Sequence, residues 1–339
     1  MRCRPTQEPG EVGHGGVAKI FHSHFWLQYL RVAIFLAVVC AIYVAAIIFA
    51  YKRLRGRRPR IPWLQRLEWT LYFFALAGTL CVLYAYNIEP YWPEVTHVGL
   101  QSAKLKAGSR LRIVLISDLH SDGKMRLEKR LPEIIREQHP DAILFAGDTV
   151  VRREGVPLAH EVFSQLSTIA PTYVVLGNWD VELAREWHQS VQDPSFFNGT
   201  GVHNLTGQAD STLIAGTPVW IAGAATNQTR LLPALLAAAP RDQLSILLFH
   251  FPDEVDVVQQ NKIDLYFAGH THCGQIALPF YGALITFSRF DKKFERGLHS
   301  IGDSTLYVNC GIGLEGHAPR ARFLCRPEIT VFDISALSP

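Results

Sequence analysis

No two cysteines in this chain stand two residues apart. Cys3, Cys40, Cys81, Cys273, Cys310 and Cys325 are scattered, so no C-x-x-C motif signals a zinc knuckle or a redox pair. Charge excess is equally scarce. With 33 basic and 30 acidic residues the net charge is +3, which gives no electrostatic footprint for nucleic acid, and none is expected as a partner. Most informative is the absence of any charged side chain from Val32 to Tyr51 and again from Thr70 to Ile88. About 20 apolar residues cross the hydrocarbon core of a bilayer as a helix. Buried helices of soluble proteins rarely stay apolar on every face for that length. A cleaved leader fits poorly, because the first run begins only at Val32 and is too long for the apolar region of a signal peptide. Arg57-Arg58 precedes an apolar stretch, but its surroundings do not make a twin-arginine signal.

Two membrane spans are therefore expected, with the lipid bilayer as a partner. Phe25, Trp26, Tyr29, Tyr51, Trp63, Trp69, Tyr86, Tyr91 and Trp92 crowd the ends of the runs, as interfacial anchors do. Cys40 and Cys81 lie inside the runs and read as packing residues. Between the runs stand Lys52, Arg53, Arg55, Arg57, Arg58, Arg60 and Arg66, whereas no Lys or Arg follows Ile88 until Lys104. Short basic loops stay cytoplasmic, so the hairpin tip is expected inside and the remaining chain outside. A loop that merely binds anionic lipid headgroups would sit on the same leaflet. The expected partition is a tail over 1–24, a first span over 25–51, a basic cytoplasmic loop over 52–69 and a second span over 70–88. A connector follows over 89–110, and a catalytic domain over 111–336.

From Leu111 onward short apolar runs alternate with amphipathic stretches. Leu111–Ser117, Asp141–Ala146, Thr172–Leu176, Ser245–Phe249 and Ile263–Ala268 read as buried strands, and Arg126–Gln138 and Pro252–Gln260 as helices. This alternation implies α/β layering. Strands without long helices around Ser211–Ala224 and after Leu306 suggest a second, mixed sheet.

The strand ends carry the chemistry. They run into Asp118-Leu119-His120, Gly147-Asp148, Gly177-Asn178, His250 and Gly269-His270-Thr271-His272. Ligands in open α/β sheets gather outside the carboxyl ends of the strands. Singly, each group has a plain reading as cap, turn or core histidine. Together they converge on one site with oxygen and nitrogen donors and no sulfur, which suits a dinuclear centre of Mn, Fe, Zn, Co or Mg. Glycines before Asp148, Asn178 and His270 let the backbone turn without a side chain in the way.

These blocks, in this order, resemble the calcineurin-like metallophosphoesterase superfamily, whose pattern is D-x-H, G-D, G-N-H-[DE], H, G-H-x-H. The likeness spans about Leu111 to Phe332. It is closer to a membrane-associated bacterial branch in Ile88-Glu89-Pro90, in GHTHCGQIALPFYGALIT and in the ending YVNCGIG … PRARFLCRPEI. The resemblance implies a four-layer αββα sandwich preceded by the two transmembrane helices. It further implies that Asp118, His120 and His272 hold one metal, that Asn178, His250 and His270 hold the other, and that Asp148 bridges them. Asp118, Asp148, Asn178 and His270 then also serve as catalytic residues. Hydroxide activated between two metals would be the nucleophile, so no activated Ser or Cys is needed.

Two positions depart from the pattern. Trp179 stands where the family has a histidine that protonates the leaving oxygen, and an indole cannot do so. His317 in the C-terminal loop is an alternative donor, with a plain reading as a loop histidine. Cys273 replaces a glycine beside His272 and reads as packing, with oxidation or soft ligation as alternatives. Arg320 and Arg322 are candidate phosphate contacts, since guanidinium matches phosphate geometry. Their plain reading is a solvated pair or an ion pair with Glu315. An outward domain also allows a Cys310–Cys325 disulfide.

The expected function is a membrane-anchored phosphodiesterase or pyrophosphatase acting on a phosphate-containing lipid or cell-wall substrate. Hydrolysis of UDP-2,3-diacylglucosamine is a variant that the outward orientation opposes, because that substrate is met from the cytoplasm. A non-catalytic membrane scaffold with a residual metal site is the alternative of a different class. The intact ligand set argues against it.

Overall fold

The computed structural model describes residues 15–190 and 194–337. The start of the expected tail, with Arg2 and Arg4, and the final Pro339 lie outside the described residues. Two long helices come first, α1 (Gly15–Leu54) and α2 (Pro62–Asn87). Both are long and apolar enough to cross a bilayer. They lie side by side, with the Tyr43 hydroxyl 3.0 Å from that of Thr79 and facing Gly78. Near the tip, Arg53 and the Tyr72 hydroxyl donate to the buried Glu68 carboxylate. Helix α2 starts earlier than the charge-free run, with Pro62 in its first turn, where a missing N–H costs nothing. A helix tolerates charged side chains beyond its apolar stretch, so the absence of charge marks only part of its length. The basic loop expected over 52–69 thus shrinks to the residues between Leu54 and Pro62.

The chain then runs β1 (Glu94–Ser102), β2 (Arg110–Ile116), α3 (Leu131–Glu137), β3 (Ala142–Phe145), α4 (Val156–Ser167), β4 (Thr172–Val174) and α5 (Asn178–Glu186). Next come β5 (His203–Asn204), β6 (Gln208–Ile214), β7 (Thr217–Gly223), α6 (Leu232–Ala237), β8 (Leu244–Leu248), α7 (Val255–Asn261) and β9 (Leu265–Ala268). The hairpin β10 (Ala277–Leu278) and β11 (Gly282–Ala283) precedes β12 (Gly297–Ile301), β13 (Ser304–Val308) and β14 (Glu328–Ala336).

Two six-stranded sheets result, in the orders β1-β14-β2-β3-β4-β5 and β12-β13-β9-β8-β7-β6. Within them β2 to β5 run parallel, as do β7, β8, β9 and β13. Strands buried on both faces need apolar residues at every position, and β2 supplies them from Ile113 to Ile116. Leu111, Ile113 and Leu115 enter the core between the sheets, with Ile246, Leu248, Phe267 and Phe332. Val114 and Ile116 point the other way, onto a layer with Ile135 of α3 and Phe163 and Leu166 of α4. On the far side Leu232 and Leu236 of α6 and Val258 of α7 cover Trp220, Leu247 and Tyr266. The order of layers is αββα. Each such buried side chain contributes about 1.5–3 kcal/mol of transfer free energy.

The expected connector is part of the sheet. Strand β1 pairs in parallel with β14, from Glu94 opposite Glu328 to Ser102 opposite Ala336. Its half-exposed alternation belongs to an edge strand, which has no continuous apolar run to read in sequence.

Candidate metal centre

The carboxyl ends of β2, β3, β4, β8 and β9 meet at one edge of the two sheets, and the polar groups that follow them come together there. His272 Nε2 lies 3.3 Å from Asp118 Oδ1 and 2.9 Å from His120 Nε2. His250 Nε2 lies 3.2 Å from Asp148 Oδ2 and 3.0 Å from Asn178 Oδ1. His120 Nε2 reaches Asp148 Oδ2 at 3.4 Å, so Asp148 stands between the two groups. The His270 ring packs 5.1 Å from that of His250, and its amide donates to both Asp118 oxygens.

The backbone is bent to achieve this. Asp118, His120, Asp148, His270 and His272 all have left-handed backbones, with φ of 52°, 44°, 61°, 72° and 49°. Such conformations cost roughly 1–3 kcal/mol each for residues other than glycine and cluster at functional sites. Gly147, at φ +91°, does serve a turn. Gly177 and Gly269 serve close approach instead: a Cβ on Gly177 would lie 2.0 Å from Asp148 Oδ1, and one on Gly269 2.4 Å from Asp118 Oδ2.

These residues fit a pair of divalent cations. His250 Nδ1 donates to the Ala146 carbonyl at 2.7 Å, which turns Nε2 into the site, where a metal ion would displace its proton. His120 Nδ1 is buried without a partner. Asp118, His120 and His272 offer donor atoms within 4.8 Å of one another, and so do Asp118, Asp148 and His250. Burial resists ionisation of Asp118, but the imidazoles of His272, His120 and His250 override it and hold the carboxyl well below its usual range. Burial likewise opposes charge on His250, yet Asp148 pushes it up to about 9. Burial and the neighbouring His250 push His270 down to about 3. The site thus holds ionised carboxylates among imidazoles, hard and borderline donors with no sulfur.

A cavity of about 620 Å³ opens over Asp148, Asn178, His270 and His272. Trp179 forms part of its wall: the indole donates to Glu315 at 3.1 Å and packs 4.6 Å from the His317 ring. Position 179 therefore offers no proton to the cavity, whereas the imidazole of His317 lines it.

Arg320 and Arg322 do not line this cavity. Arg322 is fully buried. Its guanidinium donates to the carbonyls of Cys310, Cys325, Gly311 and Gly313 and lies 3.5 Å from His272 Nδ1. A guanidinium ringed by carbonyls has no donor left for a phosphate, so Arg322 braces the C-terminal loop beneath His272. Arg320 pairs with Asp122 at 2.6 Å, not with Glu315, and donates to the Leu314 carbonyl. Arg289 is the one arginine or lysine that lines the cavity among the described residues. It binds Asp253 and Asp256 through Nη2, while its buried Nε has no partner. Nothing in the sequence around Arg289 signals this. A second omission was legible. Asp180 fills the acidic position of the G-N-x-[DE] block, and its carboxylate accepts from the amides of Asp148, Thr149 and Gly177. Burial and the Asp148 carboxylate push it up to about 7.

The cysteines pair differently from the expectation. Cys310 is bonded to Cys273, with Cα atoms 5.0 Å apart, and not to Cys325. The left-handed turn at His272 and Cys273 carries Cys273 under the end of β13. Cys273 is therefore neither a packing residue nor a ligand. Cys325 keeps a buried thiol that donates to the His272 carbonyl at 2.7 Å.

Residues 111–274 match the calcineurin-like phosphoesterase family. The chain is 30% identical over 269 residues to the metallophosphoesterase YkuE of Bacillus subtilis, covering 75% of this chain and 89% of that one. It is 29% identical to the phosphodiesterase YaeI of Escherichia coli, over 74% of this chain and 92% of the relative. Likeness to the UDP-2,3-diacylglucosamine pyrophosphatase LpxG of Chlamydia trachomatis is 25%, over 75% of this chain and 92% of that one. On the strand-end ligands, the layered sheets and these matches, the chain belongs to the calcineurin-like phosphoesterase family.

Proposed function

We propose that this chain is a membrane-anchored, metal-dependent enzyme that hydrolyses phosphodiester or pyrophosphate bonds of a lipid-linked or other cell-envelope substrate. The observation that carries the reading is the convergence of the Asp118, His120 and His272 cluster with the Asp118, Asp148 and His250 cluster on one cavity. Asp118, His120 and His272 would hold one ion and Asn178, His250 and His270 the other, with Asp148 between. Two divalent ions there would supply Lewis acidity and an activated water. Asp180 keeps the backbone at Asp148, Thr149 and Gly177 in place through the three hydrogen bonds it accepts from their amides. Arg289 positions a phosphate at the cavity wall. His317 protonates the departing oxygen, in place of the histidine that Trp179 replaces. The catalytic domain lies outside the cytoplasm: the ends of α1 and α2 nearest the domain are opposite the basic loop. The Cys273–Cys310 disulfide supports an oxidising compartment.

Kinship with a pyrophosphatase supports a second reading, cleavage of a nucleotide-activated lipid from the cytoplasmic side. The test is turnover by the purified chain of a diester, a monoester and a nucleotide-linked lipid, each with Mn, Zn, Mg, Co and Fe. Diester or pyrophosphate hydrolysis that requires metal is expected. Absence of turnover on every substrate, with both ions bound, would favour the scaffold.

A further inference from the structure

Beside the metal cavity a second, apolar one of about 430 Å³ lies between α1 and the catalytic domain. This is within the ~300–1,000 Å³ of ordinary ligand sites. Tyr29, Val32, Phe35 and Leu36 form its wall on α1, and Ile276 and Ile285 face them from the domain. The two cavities share Phe287, Glu315 and His317. These three residues stand between the proposed ligands and a surface made by a helix apolar enough to cross a bilayer.

The wall on α1 is fixed to the domain, which makes the groove a built feature. Gln28 is fully buried; its side chain accepts from the Thr286 and Phe287 amides at 2.9 and 3.2 Å. One turn on, Arg31 binds Asp291 in bidentate fashion at 2.9 and 2.6 Å. Positions three apart share a helix face, so Gln28 and Arg31 form the attaching stripe and Tyr29, Val32 and Phe35 the lining one. Tyr29 to Leu36 spans roughly 10 Å at ~1.5 Å rise per residue. Leu36, at the far end of this wall, is half exposed.

We propose that this groove is a subsite for the hydrocarbon chain of the substrate, which slides in from the bilayer along α1 while its phosphate sits at the metal centre. The proposal rests on the phosphoesterase reading above and names its substrate class: a phosphate ester bearing a long alkyl, acyl or isoprenoid chain. Charge distribution agrees: Glu315 and His317 line the side shared with the metal cavity, and the Gln275 side chain is taken up by the Pro319 carbonyl and the Glu315 amide.

Two measurements on the full chain in phosphatidylcholine nanodiscs test this. The first uses 4-nitrophenyl alkyl phosphodiesters with chains of two to ten carbons. A buried methylene is worth ~0.8 kcal/mol, or about fourfold, so kcat/KM should rise at least tenfold across the series. Bulk in the groove, as Ile285→Trp or Val32→Trp, should remove most of that rise; partition into the nanodisc alone would leave it intact in these variants. The second measurement uses a non-hydrolysable decyl phosphonate with a diazirine at the end of its chain. Adducts are expected on Ile276 and Ile285, which face the groove and not the bilayer. A flat chain-length series, or variants with the full rise, together with adducts confined to the outer faces of α1 and α2, overturns the subsite and leaves the phosphoesterase reading standing. Adducts at Ile276 and Ile285 with no ester cleaved under any metal do the reverse.

Discussion

Replacing Gly177 by alanine adds one carbon atom at the point where the site is tightest. The glycine has φ −82° and ψ −173°, an extended backbone that any residue adopts, so no conformational strain enters. Its added Cβ would lie 2.0 Å from Asp148 Oδ1 and 2.5 Å from the Asp148 amide nitrogen, against the 3.0 Å that Cβ atoms need. Asp148 must therefore retreat by about 1 Å. Retreat is resisted, because the Trp179 amide holds Oδ1 at 2.9 Å and Asp180 holds the Asp148 amide at 2.8 Å. A displacement of ~1 Å in a positioned group costs on the order of 10²-fold in rate, and Asp148 is the residue proposed to contact both ions. Gly177→Ala should lose about 10²-fold in kcat on an aryl phosphodiester and retain less than the full complement of metal. Gly99→Ala, with nothing within 4 Å of the new atom, is the control and should change stability by no more than ~0.5 kcal/mol. Initial rates, elemental analysis and thermal melts of both variants make the comparison. A folded Gly177→Ala protein with two ions and a rate within threefold of the parent would refute the placement of Asp148.

Asp148→Asn should abolish turnover even with metal added back and lower the metal content, as measured by elemental analysis, because the carboxylate proposed to lie between both ions is lost. Reporter fusions between Arg55 and Ile61 should report cytoplasm, and fusions after Pro339 the outside; a cytoplasmic signal from the C-terminal fusion would revive the precursor pyrophosphatase. Non-reducing peptide mass spectrometry should link Cys273 to Cys310, with Cys325 alkylated only after unfolding, since burial pushes its thiol up to about 11. Diesters graded by leaving-group pKa should lose ~10²–10⁴-fold in His317→Ala with alkoxide leaving groups and little with aryl ones. Rates that fall equally across the series would remove His317 as the donor.

What the sequence discloses depends on whether a residue's role is set by its own strand or by a distant one. Asp118, Asp148, Asn178, His250 and His270 each end an apolar run, so local pattern places them at the carboxyl edge before any contact is known. Asp180 was within the same reach. Arg322 was not: chemistry by residue type makes it a phosphate ligand, but the loop from Arg320 to Cys325 folds inward and surrounds its guanidinium with carbonyls. Disulfide partners are fixed by where two loops meet, so Cys273 with Cys310 could not be separated from Cys310 with Cys325. Strand β1 was missed because an edge strand alternates polar with apolar residues and shows no run.

The same contacts argue that the two apolar helices are built into the enzyme. The last turn of α2 takes the Arg322 amide on the Ala85 carbonyl at 3.0 Å. Just beyond it the buried Glu89 carboxylate accepts from the Leu324 and Cys325 amides. Cys325 in turn donates its thiol to the His272 carbonyl, and Arg322 lies against the His272 ring. One chain of hydrogen bonds therefore runs from the end of an apolar helix to a proposed metal ligand. Cutting the chain at Leu111 would remove β1 from the first sheet and Glu89 from this brace. The sequence boundary at residue 111 marks where the apolar strands become legible, whereas the physical unit begins with the helices.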